Sequence, residues 1–71
     1  MTANDYWRII SRRHQIKVRT LAEKHNVSVG RAFRNIVDHL KRERSQLDEI
    51  GVFNGYVTAD QIEHMIDIVS T

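Results

Sequence analysis

Residues 21–40 read LAEKHNVSVGRAFRNIVDHL, and their pattern predicts two helices joined by a tight turn. The second helix carries apolar residues at the three- and four-residue spacing of one buried face, namely Val29, Ala32, Phe33, Ile36, Val37 and Leu40. At the turn, Asn26 is the non-glycine type that best tolerates a left-handed backbone. Val27 is expected to be buried there, and Ser28 is a natural N-cap for the second helix.

The opposite face of the second helix is polar and basic. It carries Gly30, Arg31, Arg34, Asn35, Asp38, Lys41 and Arg42. Arginine pairs with the edge of guanine and asparagine with that of adenine. The predicted base contacts of this helix, in the major groove of double-stranded DNA, are Gly30, Arg31, Arg34 and Asn35. Two interpretations of Gly30 remain open: close approach of the helix to DNA, or a position in a fraying first turn.

Two segments of this region, LAExxNVS and AFRxIxxxL, together resemble the helix-turn-helix of bacterial transcription regulators, especially the winged kind. The resemblance covers about residues 17–50. The chain departs from the family at Asn26, where glycine is usual, at Ala32, where a β-branched residue is usual, and at Asn35, where a small apolar residue is usual. The resemblance implies a small bacterial, phage or plasmid regulator of transcription. It also implies a dimer on a pseudo-palindromic site.

The length of 71 residues predicts a single domain, residues 1–71, without room for an enzyme and a substrate domain. A chain this short buries a limited core. Cysteine is absent, so no disulfide is available to stabilise it. We therefore expect a homodimer, and the lack of cysteine is consistent with a reducing cytoplasm.

Charge is distributed unevenly along the chain. Residues 1–45 carry all 11 Lys and Arg residues and four acidic residues, which gives +7, whereas residues 46–71 carry five acidic residues and no Lys or Arg, which gives −5. The basic half predicts binding to a polyanion, although such charges also serve simply to solvate helix faces. The expected contacts with the DNA backbone are Arg12, Arg13, Lys17, Arg19, Ser28, Lys41 and Arg42.

Capping patterns predict a mostly α-helical chain of four helices. Thr2 to Asp5 has a capping-box pattern, so helix 1 is expected to begin near residue 3. Residues 14–16 are predicted to be a link, helix 2 to span about residues 17–25, and helix 3 to reach at least Leu40 and, if its apolar stripe continues, Ile50. Asn54-Gly55 between β-prone residues indicates either a short β-hairpin wing or a loop.

The last helix, residues 58–70, is acidic and opens with a second capping box. Its apolar stripe consists of Ile62, Met65, Ile66 and Val69. This stripe is either a fourth piece of the core or a surface for a dimer or a protein partner. The acidic residues Asp60, Glu63 and Asp67 are expected to face away, on a surface that DNA would avoid.

Other classes of function have little support in the sequence. The four histidines lack metal-ligand spacing, no serine has the context of a nucleophile, and no glycine-rich phosphate loop is present. We expect no enzyme activity, no cofactor and no metal. A signal peptide and a membrane span are not expected either. The main alternative is an adaptor or inhibitor that binds a protein through the acidic C-terminal helix, and structured-RNA binding is a weaker one.

Overall fold

A computed structural model of the chain describes residues 2–47 and 57–71. This part of the chain forms four helices, α1 (Ala3–Ile9), α2 (Arg12–His25), α3 (Val29–Leu47) and α4 (Ala59–Val69). The prediction of a mostly α-helical chain is confirmed. The Asn54-Gly55 segment and the suggested extension of helix 3 to Ile50 lie outside the described residues.

Capping boxes begin both α1 and α4, as the sequence predicts. The backbone N–H of Thr2 donates to Asp5 Oδ2 at 2.9 Å, and the threonine side chain accepts from the Asp5 N–H. At α4, the N–H of Gln61 donates to Thr58 Oγ1 at 3.2 Å and the N–H of Thr58 donates to Gln61 Oε1 at 2.9 Å. Each box satisfies amides that would otherwise have no partner in the helix.

Helix α2 begins five residues before its predicted start. The backbone is extended at Ile10 and Ser11, and Ser11 is the N-cap, accepting from the N–H of His14. The predicted link at residues 14–16 is therefore wrong, because these residues form the first turns of a 14-residue helix. The extended pair at residues 10 and 11 is the whole connection between α1 and α2.

The turn between α2 and α3 has the predicted conformation. Asn26 lies in the left-handed region, with φ 55° and ψ 46°. Its N–H donates to the carbonyl of Glu23 at 3.2 Å, and the Val27 N–H reaches back to the carbonyl of Ala22 at 3.0 Å, the two bonds of a Schellman motif. Val27 is half-buried rather than fully buried. Ser28 Oγ accepts from the N–H of Arg31 at 3.1 Å, which confirms the predicted N-cap.

All four helices contribute to one hydrophobic core. Its buried residues are Tyr6, Ile10, Val18, Phe33, Val37, Leu40, Val57, Ile62 and Ile66. Trp7 packs against this cluster with its ring edge-to-face to Phe33, at a centroid distance of 5.0 Å and an interplanar angle of 72°. The Tyr6 hydroxyl donates to the carbonyl of Val57, so α1 is joined to the residues that precede α4.

The packing of α4 corrects two expectations. Ile62 and Ile66 have 0% exposure, so they belong to the core and cannot contact a dimer mate or partner. Of the predicted stripe, Met65 is half-buried and Val69 is 44% exposed. Glu63 and Asp67 do not face away, because both bind the beginning of α2. Among the described residues, no helix has the length and apolar character needed to cross a membrane.

Candidate nucleic-acid interface

Helix α3 presents an exposed polar ridge on the side opposite the core. Arg31, Arg34, Asn35 and Arg42 are all exposed, as periodicity predicts. Arg31, Asn35, Asp38 and Arg42 follow one another at helical spacing along the ridge, so one carboxylate lies among its basic side chains. Within residues 2–47 and 57–71, neither Arg31 nor Arg34 forms an ion pair with a carboxylate. Their guanidinium groups can therefore bind an external acceptor without first losing a partner.

A cavity lies on each side of the ridge, one lined by Arg34 and the other by Asn35. Arg34 lines a cavity of about 460 Å³ between α1 and α3, whose wall includes Trp7. Asn35 lines a cavity of about 380 Å³ on the other side, next to Ile36 and Val69. The predicted base contacts Arg34 and Asn35 thus lie on opposite sides of the exposed face of α3.

Gly30 lies where the ridge meets the larger cavity. A Cβ built on Gly30 would have no neighbouring atom within 4 Å. Packing against the described part of the protein therefore does not require glycine at this position. The two interpretations, close approach to a ligand and a tolerated first-turn position, both remain consistent with this open space.

The predicted backbone contacts on α2 fall on two different sides of the helix. Arg19 lines the α1–α3 cavity, and Arg12 lies on the same face two turns earlier. Gln15, also on this side, donates through Nε2 to the backbone carbonyl of Trp7 at 2.6 Å. Lys17 lies on the side that faces α4, and Arg13 lies one turn before it. The structure therefore places Arg19 beside α3 and Lys17 against α4.

Lys17 is already bound within the protein. Its Nζ lies 2.6 Å from Asp67 Oδ1, and it is partly buried, with 29% of its side chain exposed. The predicted contact of Lys17 with the DNA backbone would break this short charge-assisted hydrogen bond, so the structure does not favour it. Lys41 is half-buried and interacts within the chain, so it is not a free cation either.

A cluster of charged side chains joins the beginning of α2 to α4. Glu63 Oε2 accepts from the Ser11 N–H at 2.9 Å and lies 3.1 Å from His14 Nδ1. On the other side of the ring, His14 Nε2 lies 3.0 Å from Asp67 Oδ1. Hydrogen bonding from Lys17, then from His14, lowers the pKa of the Asp67 carboxyl below its ordinary value. Two of the acidic residues of α4 are thus used to hold the domain together.

The spacing of charged residues in the sequence is consistent with this cluster, although the apolar periodicity gives no indication of it. His14 and Lys17 are one helical turn apart, as are Glu63 and Asp67. Matching the two pairs requires α2 to begin before residue 14, whereas residues 14–16 were predicted to be a link. Ser28, the remaining predicted backbone contact, is exposed; its oxygen caps α3, and its hydroxyl hydrogen can still be donated.

In the part of the chain that the structure describes, no group of three or more His, Cys, Asp or Glu residues could hold a metal ion. Comparison with known proteins finds no matching family, no similar characterised protein and no similar solved structure. Any functional assignment therefore depends on the geometry and charge of the chain itself.

Proposed function

We propose that this chain is a helix-turn-helix regulator of transcription that binds double-stranded DNA, with α3 in the major groove. The observation that carries the proposal is the ridge of α3, where Arg31, Arg34 and Asn35 are exposed and the two arginines have no carboxylate partner among the described residues. At 19 residues, α3 is about 28 Å long. The major groove admits a helix of this diameter, and Arg and Asn there discriminate guanine and adenine.

The position of α4 supports the same orientation. Glu63 and Asp67 are bound to α2, on the side away from the α1–α3 cavity. Their negative charge is therefore partly compensated and lies off the ridge of α3. In this arrangement Arg12, Arg19 and Arg42 hold phosphates on either side of the groove, while Ser28 donates to a phosphate at the beginning of α3.

Fluorescence anisotropy with labelled duplexes tests the proposal. Because Arg34 is exposed, Arg34→Gln should fold normally and remove one bidentate base contact, which costs about 1–3 kcal/mol and flattens sequence preference. Lys24→Gln is the matched control, since Lys24 is exposed, carries the same charge and lines the cavity between α2 and α4. Equal binding by the Arg34 and Lys24 variants on every duplex would refute the assignment of α3 as the reading helix.

Salt dependence gives an independent measure of the phosphate contacts. If Arg12, Arg19 and Arg42 each neutralise one phosphate, the slope of log affinity against log salt should be about −3 per protomer. Arg12→Gln should weaken binding to all duplexes alike and reduce the slope by about one. Lys17→Gln should leave the slope unchanged, because Lys17 is bound to Asp67. A larger effect at Lys17 than at Arg12 would place DNA on the wrong side of α2 for this proposal.

We further propose that the regulator is a dimer and that the exposed flank of α4 forms its seam. Ile68 is 52% exposed and Val69 is 44% exposed, and with Met65 they form a short apolar strip beside α3. A two-fold dimer would read half-sites roughly 34 Å apart. Ile68→Gln should dissociate the dimer without unfolding the chain, as measured by light scattering. A wild-type monomer at micromolar concentration would contradict this part of the proposal.

A second candidate function uses the same strip. The exposed Ile68 lines a cavity of about 450 Å³ between α3 and α4, and this is the observation that favours an adaptor or inhibitor bound to another protein. The two functions make opposite predictions at low salt. An absence of duplex binding there, with a monomeric chain, would favour the adaptor.

A further inference from the structure

We propose that the cavity between α1 and α3 is a binding site for a nucleotide unit, with the phosphate held by Arg19 and Arg34 and the planar base against Trp7. The two arginines come from different helices and line the same cavity of about 460 Å³. The site shares Arg34 with the proposed DNA surface. Arg34 cannot hold this phosphate and a base edge at the same time, so a nucleotide bound here would compete with duplex DNA for Arg34, and the inference goes beyond the proposed function. It is tested separately, with a free nucleotide.

The charge of the cavity selects for an anion. Arg19 and Arg34 are exposed, and neither forms an ion pair within the described residues. No carboxylate lines the cavity, while Asn4 adds an amide to its wall. Two like charges around one space repel each other, and a phosphate between them would remove that repulsion and accept charge-assisted hydrogen bonds from both.

The other cavities lack this character. The cavity between α3 and α4 is lined by Glu43 and Asp60 as well as Arg44, and the one between α2 and the end of α4 by Asp67 as well as Lys17 and Lys24. The carboxylates in these two linings would repel a phosphate, and Lys17 is already bound to Asp67. The cavity beside Asn35 is lined mainly by apolar side chains and contains neither arginine nor lysine. Of these four cavities of the described residues, the α1–α3 cavity is the one that combines arginine with the absence of a carboxylate.

The aromatic wall supplies a fixed surface for a planar group. Trp7 is half-buried, and its ring stands edge-to-face against Phe33, which is 3% exposed. The hydrogen bond from Gln15 to the Trp7 carbonyl holds the backbone of the same residue. An indole fixed in this way loses little freedom when a base stacks on it, and base–aromatic stacking does not depend on the identity of the base.

The size of the cavity suits a mononucleotide, since small-molecule sites have volumes of roughly 300–1,000 Å³. Gly30 forms part of the wall and leaves open space where a side chain would stand. A Cβ at position 30 would meet no described atom within 4 Å, so a longer side chain can begin here without a clash at its Cβ. Gly30→Leu therefore fills the proposed site while it keeps both arginines.

The test uses the intact chain and the fluorescence of Trp7, which is the single tryptophan of the sequence. Titration with a deoxynucleoside monophosphate, excited at the red edge of the indole band, should give saturable quenching. Inorganic phosphate should bind more weakly because it has no base to stack. Arg19→Gln and Arg34→Gln should each weaken nucleotide binding about tenfold or more, the effect of one charge-assisted hydrogen bond. Lys24→Gln should have no effect, and Gly30→Leu should abolish binding.

The source of the nucleotide unit is decided by a parallel titration with duplex and single-stranded oligonucleotides. A response to oligonucleotides alone, with the same dependence on Arg19 and Gly30, supports the site and assigns its occupant to a polynucleotide. A response to the monophosphate alone supports the site even where duplex binding fails, so the two proposals stand or fall separately. No response to any of these probes, or a response that survives Gly30→Leu and Arg19→Gln, overturns the inference.

Discussion

The hydrogen bond between Tyr6 and Val57 should be one of the more costly single contacts to remove. Tyr6 is 3% exposed and Val57 is 0% exposed, so the bond from the tyrosine hydroxyl to the Val57 carbonyl is shielded from water. Tyr6→Phe keeps the ring in place and deletes the donor. A buried acceptor that loses its partner costs about 1–3 kcal/mol.

That cost is a large fraction of the stability available to a chain of this size. At roughly 0.05–0.15 kcal/mol per residue, a 71-residue domain has a free energy of unfolding of about 4–11 kcal/mol. Since 1 kcal/mol shifts the melting temperature of such a domain by about 4–8 °C, Tyr6→Phe should lower it by about 4–24 °C. The helical signal at low temperature should be unchanged, because the packing of the ring is kept.

Urea denaturation followed by circular dichroism measures the effect, with Thr20→Val as the matched control. Thr20 also donates a hydroxyl hydrogen, to the carbonyl of Ile16 at 3.2 Å, but the bond is exposed. Its loss should cost less than about 0.5 kcal/mol. Equal midpoints for the Tyr6 and Thr20 variants would refute the argument that burial of the Val57 bond makes it important.

Substitutions at three further positions probe the turn, the charged cluster and the ridge. Asn26→Ala should destabilise the domain by about 1–2 kcal/mol because Asn26 has a φ of 55°, while Asn26→Gly should be nearly neutral. Equal melting temperatures for the two variants would show that the left-handed conformation is unimportant. The pKa of Asp67 lies below its ordinary value of 3.8, so its carboxylate stabilises the fold above that pH, and this contribution is lost as the pH falls through the lowered pKa. In Asp67→Asn the free energy of unfolding should therefore depend less on pH in the acid range. Identical plots of that free energy against pH for the variant and the wild type would contradict this. Asp38→Asn should tighten binding to every duplex alike, because it removes a carboxylate that would repel phosphates whatever the sequence. Weaker binding in an anisotropy titration would argue against Asp38 lying on the proposed surface.

The elements that could be predicted from the sequence are those fixed by neighbouring residues. Asn26 and Ser28 act on amides and carbonyls within five residues, so their types alone indicate the turn and the N-cap. The capping boxes at Thr2 and Thr58 are local in the same way. The exposed ridge of α3 follows from the period of its apolar residues, which required no knowledge of the other helices.

The beginning of α2 could not be placed by the same means. Ser11 is a good N-cap, but the first turn contains Arg12 and Arg13 and no acidic residue. Positive charge there is unfavourable with the helix dipole, so the local pattern argued against a helix beginning at this point. The structure shows what offsets it: Glu63 reaches the Ser11 N–H from α4, a contact across 52 residues. A tertiary carboxylate takes the place of the local acidic residue that the sequence lacks.

The contacts between α4 and α2 also explain why the division of the sequence into a basic and an acidic half described the surface charge only in part. Counting charges along the chain treats Lys17 and Asp67 as belonging to different surfaces, yet their side chains meet at 2.6 Å. With α4 docked, Lys17 is bound to Asp67, whereas Arg19 on α2 and Arg34 on α3 have no described carboxylate partner. The docking of α4 thus removes Lys17 from the cations left for an external anion. Undocking α4, through loss of Asp67 and Glu63 together, should therefore enlarge the cationic surface while it weakens the fold.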